Sequence, residues 1–248
     1  MSIERPVEAP DPDISVVIPT LPGHTVDSLP GLRDQTAESY EVLVVRDDEL
    51  DRCEARNRGI ERANGDIIAL TDDDTDPPRD WVAVAKDRIG DGCVLLEGPV
   101  IYRFEDGRET FEDSFRNYMS CNVAFAKGAW AAVGGFDSRY AGWGEDNAFG
   151  WNVEREFGVE ACEYSRQFVM VHLGSGRSRE VVQNDIMLRR AFPERYFLYR
   201  QQTSSFAGSV SIGVLRLLHD ISPGVADTLH PYLTGSAEIL RPYLADVE

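Results

Sequence analysis

The sequence predicts an α/β fold, with a mostly parallel central sheet flanked by helices and a helical C-terminal extension. Three observations carry that expectation. Short apolar runs alternate with helical spacing through the first third of the chain, the order that builds a parallel sheet with helices on its faces. Two of those runs end in acidic residues, and such sheets take ligands at the carboxyl ends of their strands. From about Val181 onward the spacing is helical throughout.

Residues 1–13 are rich in proline and acid and read as a loose N-terminal arm. Ile14 to Ile18 is an apolar run closed by Pro19, which suits a buried strand. Val26 to Gln35 has helical spacing at Leu29 and Leu32, interrupted by Pro30-Gly31. Glu41 to Val45 is a second buried strand and ends in Arg46-Asp47-Asp48. Arg52 to Ala63 reads as a helix stopped at Asn64-Gly65. Ile67 to Leu70 is a third strand, running into Thr71-Asp72-Asp73-Asp74. Further on, Val94 to Leu96, Val100 to Tyr102 and Val123 to Phe125 are shorter strands, Gly128 to Val133 a short helix and Asp146 to Phe157 a longer one. Phe168 to Val171 is a last strand, with His172 at its end. The expected organisation is an arm over 1–13, an α/β domain over 14–180 and a helical extension over 181–248 packed on it.

The 248 residues carry 43 acidic and 25 basic side chains, a formal net charge of −18. That excludes nucleic-acid binding through a broad basic footprint, which rests on Lys and Arg at phosphates. Lys86 and Lys127 are the only lysines. An acid-rich, lysine-poor surface suits very high salt, where a Debye length of about 3 Å screens self-repulsion, and it predicts a halophilic source. Cys53, Cys93, Cys121 and Cys162 form no C-x-x-C pair, the pattern of reduced thiols rather than of a disulfide framework or zinc site. No signal-peptide pattern opens the sequence and no run of eighteen apolar residues occurs, so the expected location is the cytoplasm.

The triplet Asp72-Asp73-Asp74 has to be weighed against chance, since a chain of this acidity contains roughly one such triplet anyway. Its position, directly after an apolar strand at the ligand edge of the sheet, lifts it above decoration. Carboxylates at i and i+2 on such a turn can hold one hard divalent cation, Mg²⁺ or Mn²⁺, through oxygen. An EF-hand starting at Asp72 needs Gly and Glu where Pro77 and Ala83 stand. A second constellation is Tyr140-Ala-Gly-Trp-Gly-Glu-Asp146, where two adjacent acids open a helix. Capping alone accounts for an acid at Asp146. Trp143 between two glycines reads better as a platform for the apolar face of a sugar.

Five motifs in order, Ser-Val-Val-Ile-Pro-Thr20, Asp-Gln-Thr36, Glu-Val-Leu-Val-Val45, Ala-Arg-Asn-Arg-Gly59 and Leu-Thr-Asp-Asp-Asp74, resemble the family 2 glycosyltransferases of the GT-A (Rossmann-like) fold. Gly-Gly-Phe-Asp137 and Trp-Gly-Glu-Asp146 are similar to the acceptor-side motif of galactosyltransferase-like enzymes, and the likeness spans about residues 13–175. The resemblance implies a metal-dependent, inverting hexosyl transfer. The donor would be a nucleotide sugar, a UDP-sugar being favoured, and the acceptor a hydroxyl of a glycan or lipid-linked molecule. By the same resemblance Asp47 is the nucleotide-contacting aspartate, Arg56 a donor contact, Asp72 a ribose contact and Asp74 a metal ligand. Asp146 matches the catalytic base and Glu145 an acceptor contact. His172 lies where some members place a third metal ligand, though a strand-end histidine is as readily structural. Arg46 replaces the first of the usual paired aspartates, which leaves uridine or guanosine open.

The residue types suit that chemistry. Breaking a sugar–diphosphate bond builds negative charge that a divalent cation neutralises, and the attacking hydroxyl must lose a proton to a base such as a carboxylate. Two rival classes share some features. A non-catalytic carbohydrate- or divalent-metal-binding protein would keep Trp143 and the acids without turnover. A sugar-nucleotide pyrophosphorylase would share the sheet, but its Gly-rich loop is absent after Pro19. In the C-terminal region Val214, Leu217, Leu218 and Ile221 have i, i+3, i+4, i+7 spacing. That stripe is expected to pack onto the catalytic domain, the alternative being peripheral contact with the cytoplasmic membrane face.

Overall fold

The computed structural model describes residues 1–174, 182–203 and 206–234. The chain divides into two compact units, one of residues 1–141 with 145–177 and one of residues 142–144 with 178–248. The expected boundary at 180/181 and the last part of the expected extension, 235–248, lie outside the described residues.

The first unit starts with β1 (Ser2–Val7), β2 (Ile14–Thr20), the short helix α1 (Leu29–Arg33), β3 (Tyr40–Arg46), α2 (Arg52–Arg62), β4 (Ile67–Leu70), β5 (Thr75–Asp76) and α3 (Trp81–Gly90). It continues with β6 (Leu95–Glu97), β7 (Val100–Arg103), β8 (Glu109–Glu112), β9 (Val123–Ala126), α4 (Lys127–Val133), α5 (Glu145–Phe157), β10 (Cys162–Tyr164) and β11 (Met170–Leu173). The main sheet has the order β1-β3-β2-β4-β9-β6-β10. Its centre is parallel, with Ile14 of β2 beside Tyr40 of β3 and Ile67 of β4. Strand β9 enters antiparallel between β4 and β6, and β10 runs parallel to β6. Central strands buried on both faces read as near-continuous apolar runs, which is why β2, β3 and β4 stand out in the sequence. A smaller sheet, β5-β11-β7-β8, lies beyond the end of β4.

Helix α2 is fixed at its start by a capping box, in which Asp51 accepts the Glu54 N–H at 2.9 Å. Its Gly59 lets the helix approach the sheet closely: a Cβ there would lie 2.4 Å from Val17 Cγ1. Helix α3 buries Trp81, Val82, Ala85 and Ile89. Trp81 stacks on Phe168 and donates its indole N–H to Asn122 at 2.8 Å.

Several elements differ from expectation. The expected loose arm contains β1, which pairs antiparallel with β3 from Ser2 beside Arg46 to Val7 beside Val42. The edge of β3 would otherwise present unpaired backbone groups. An edge strand also tolerates Pro6, and Arg5 pairs with the buried Glu41. Neither signal shows as an apolar pattern. Helix α3 and strands β5, β8 and β10 were not expected, although the spacing of Trp81, Val82, Ala85 and Ile89 fits a helix. His172 sits inside β11 rather than at its end.

The second unit contains α6 (Val182–Ala191), α7 (Pro193–Thr203), α8 (Phe206–Ile221) and α9 (Pro223–Leu233). Its interior holds Leu188, Phe192, Tyr196, Phe197, Ile212, Leu215 and Ala226. Of the predicted stripe, Val214, Leu217 and Ile221 are exposed and Leu218 is half-buried. Helix α8 is apolar on two sides, and spacing alone does not say which side packs. No helix among the described residues is long and apolar enough to cross a membrane.

Candidate active site

Strand β4 delivers the acidic triplet, and a tight turn separates its three carboxylates. The buried Thr75 hydroxyl reaches the Asp72 carbonyl at 3.0 Å and the Thr71 hydroxyl at 2.8 Å. Asp73 turns toward the β2 end, where its carboxylate accepts the Thr20 hydroxyl and its carbonyl accepts the N–H of Asp27 at 2.7 Å. Asp72 and Asp74 stay on the other side of the turn. There β11 pairs antiparallel with β5 so that His172 lies opposite Thr75, which brings the imidazole to the triplet. One ligand atom from each of Asp72, Asp74 and His172 lies within 4.8 Å of the others.

His172 Nε2 is 3.4 Å from Asp74 Oδ1, and the ring is buried with its Nδ1 lacking a hydrogen-bond partner. Burial raises the pKa of Asp74, His172 opposes that shift, and Asp72 and Asp73 add to it. Two carboxylate oxygens and an imidazole nitrogen, crowded so that negative charge is disfavoured, form a donor set that fits a divalent cation of the Mg²⁺ or Mn²⁺ class.

Arg56 joins this cluster to the start of α5. Its side chain is buried, with Nη1 3.1 Å from Glu145 Oε1 and Nη2 3.7 Å from Asp72 Oδ1. The guanidinium also lies 5.7 Å from the centre of the Phe136 ring. Burial works against the charge, but Asp72, Glu145 and Asp146 outweigh it and raise the Arg56 pKa. The helix motif and the Trp-Gly-Glu-Asp motif, distant in sequence, therefore meet through one ion pair.

Asp146 accepts the N–H of Asn147 at 2.8 Å and that of Ser120 at 3.4 Å. Burial, reinforced by Glu145 and opposed by Arg56, pushes its pKa up to about 7. A carboxylate titrating near neutrality can take a proton from a hydroxyl and release it again. The Ser120 contact depends on the preceding loop. Buried Glu97 accepts the N–H groups of Arg116 (2.5 Å) and Tyr118 (2.7 Å), both in the left-handed region at φ of 62° and 54°. Asn147 then holds the Asn117 carbonyl at 2.8 Å. Glu97, Asn117 and Ser120 match no motif. Only the fold shows that Glu97 and Asn117 hold the segment from which Ser120 reaches Asp146.

Asp47 follows β3, while the triplet follows β4, and β2 runs between those strands. Its carboxylate accepts the N–H groups of Glu49 and Leu50, both at 2.8 Å, and pairs with the Met1 amino group at 2.7 Å. The amino group foremost, then the two N–H groups, holds its pKa down to about 2. Trp143 belongs to the second unit, where it is half-buried and its carbonyl accepts the Asn184 amide at 3.1 Å. The flanking Gly142 and Gly144 have φ of 92° and 81°, so the backbone itself requires glycine at both positions.

Residues 32–136 match the family model described as glycosyl transferase family 2. No curated protein matches the chain in sequence. Among solved structures, S. aureus TarS 1-349 in complex with UDP-GlcNAc aligns with a TM-score of 0.59 at 13% identity, over 90% of this chain and 87% of that one. S. aureus TarS 1-349 alone aligns at 0.55 and 14% identity, covering 90% and 86%. For S. aureus TarS the TM-score is 0.55 and the identity 14%, with 90% of this chain but 52% of that one covered. The matched segment holds the triplet and Arg56 and is similar to glycosyl transferase family 2, and the fold shared with these structures extends over most of the chain.

Proposed function

We propose that the chain transfers a sugar, with inversion, from a UDP-sugar to a hydroxyl of a glycan or lipid-linked acceptor. The observation that carries this reading is the pairing of Arg56 with both Asp72 and Glu145, beside an Asp146 whose pKa is pushed up to about 7. S. aureus TarS 1-349 is a complex with UDP-GlcNAc in one structure and with UDP in another, which supports a uridine donor.

In this reading Asp74 and His172, with Asp72 beside them, hold Mg²⁺ or Mn²⁺. The cation neutralises charge on the departing diphosphate when bound. Asp72 and Asp47 face the nucleotide. Asp146 takes the proton of the acceptor hydroxyl as that oxygen attacks, and Glu145 positions the acceptor. Arg56 pairs with Glu145 and Asp72 and fixes both, so that donor and acceptor sides hold one geometry. Trp143 offers its indole to the sugar ring.

The test is a panel of nucleotide sugars, read first by thermal shift with Mn²⁺ and then by release of free nucleoside diphosphate when acceptor is added. UDP-sugars are expected to stabilise the protein and to release UDP. Stabilisation without release, whatever the acceptor, would leave a carbohydrate- or metal-binding protein instead.

A further inference from the structure

Residues 21–28, the connection from β2 to α1, lie at the carboxyl edge of the sheet with little apolar anchorage. Leu21, Pro22, Gly23, His24 and Thr25 are all exposed, and Val26 is the first buried side chain. Leu21-Pro22-Gly23-His24 has the residues of a type II turn: Gly23 has a φ of 80° and the His24 N–H donates to the Leu21 carbonyl at 3.2 Å. A turn with so few buried contacts is held in place by its polar ties. They come from the two strands that flank β2. From the β3 side, Arg46 Nη1 donates to the carbonyls of His24 at 2.9 Å and Leu21 at 3.3 Å, and its Nε is braced by Glu4 of β1 at 2.8 Å. From the β4 side, Asp73 accepts the Thr20 hydroxyl on its carboxylate and the N–H groups of Asp27 (2.7 Å) and Ser28 (3.3 Å) on its carbonyl. His24 Nδ1 lies 3.7 Å from that carboxylate.

The strand order gives these ties a consequence. The chain leaves β2 for β3 on one side and then crosses to β4 on the other. Connections that diverge in this way leave a crevice outside the carboxyl ends of the strands, where ligands bind. The clamped connection follows the strand between Asp47, after β3, and Asp72, after β4, the two residues read above as facing the nucleotide. Arg46 and Asp73 are their immediate neighbours in sequence, and both point to the connection instead. We propose that Arg46 and Asp73 are positioning residues that hold residues 21–28 in place before the donor arrives, so that its nucleoside enters a crevice already formed. A connection that had to be ordered on binding would lower the apparent affinity by the fraction of molecules in which it is formed. The inference rests on the nucleotide-sugar reading above and adds a task for the arginine at position 46.

The experiment is calorimetry on the full chain with Mn²⁺, with UDP as the probe and GDP beside it. The double variant Thr20→Val, Arg46→Met removes the hydroxyl and the guanidinium and leaves every residue assigned to nucleotide or metal unchanged. With the connection formed about a tenth of the time, the nucleotide that the wild type binds should bind at least about 10-fold more weakly. The conservative pair Thr20→Ser, Arg46→Lys should fall between the double variant and wild type. Hydrogen exchange should quicken at the N–H groups of His24, Asp27 and Ser28 in the free double variant but not in α2, and saturating nucleotide should restore their protection. Should the double variant not fold, Thr20→Val alone carries the same two readouts. Wild-type affinity in the variant would overturn the proposal and leave the nucleotide-sugar reading intact. Unchanged exchange over residues 21–28 would overturn it as well, because something else then holds the connection. A wild-type chain that binds neither UDP nor GDP would remove the nucleotide-sugar reading, and this inference with it.

Discussion

Replacing Asp146 with Asn separates the proton-accepting role we propose for it from its structural role, because the two respond to pH in opposite ways. The folded-state pKa is raised from 3.8 to about 7, so the native protein binds a proton that the unfolded chain has already lost. Stability from this group is complete below the unfolded value and drains away as pH rises to the folded one. At about 1.4 kcal/mol per unit, ionising Asp146 costs the fold about 4 kcal/mol across the whole window, and about 3 kcal/mol between pH 5 and pH 8. Asn keeps an oxygen for the N–H groups of Asn147 and Ser120 and carries no charge. In urea melts with chelator at both pH values, the Asn variant should therefore gain about 3 kcal/mol on the wild type in going from pH 5 to pH 8. Transfer should meanwhile fall by at least about 10²-fold, since the amide is no base. Wild-type turnover should rise with pH through an apparent pKa near 7, as the base loses its proton. A stability difference that stays flat from pH 5 to pH 8 would refute the electrostatic argument, and wild-type turnover in the Asn variant would reduce the residue to a helix cap.

Other changes test other parts of the site. Arg56→Met leaves buried Glu145 and nearby Asp72 without their cation, and urea melts at neutral pH should show a loss of about 3–5 kcal/mol, with Arg56→Lys between it and wild type. Asp74→Asn and His172→Ala should each weaken Mn²⁺ binding by at least about 10-fold in calorimetry with UDP present, while the melting temperature without metal changes little. At Gly150 a Cβ would lie 2.0 Å from the Tyr118 ring. Gly150→Ala should therefore cost about 1–3 kcal/mol and lower transfer as the Asn117–Ser120 segment shifts away from Asp146.

The sequence by itself determined the central strands and the acidic turns at their ends. Strands β2, β3 and β4 are legible because a strand buried on both faces is apolar along most of its length, here interrupted only by the buried Ser15 and Glu41 within β2 and β3. Asp72 and Asp74 are legible because a turn after such a strand is where ligands bind. Helix α2 announces itself through Asp51 and Glu54, a capping pair three residues apart. Elements whose stability comes from a partner left no such mark. Strand β1 exists because β3 has an edge to cover, and β5 is two residues whose pairing with β11 brings His172 to the triplet. The buried ion pair of Arg56 with Glu145 joins positions 89 apart in sequence, and no local pattern encodes that distance. Glu97 is one acid among 43 until the fold places the Arg116 and Tyr118 amides against it. The C-terminal stripe shows the limit most clearly. Its period fixed a helix with an apolar face, but which side of α8 is covered depends on where Arg189, His219 and the α9 side chains go, and only the tertiary structure decides that.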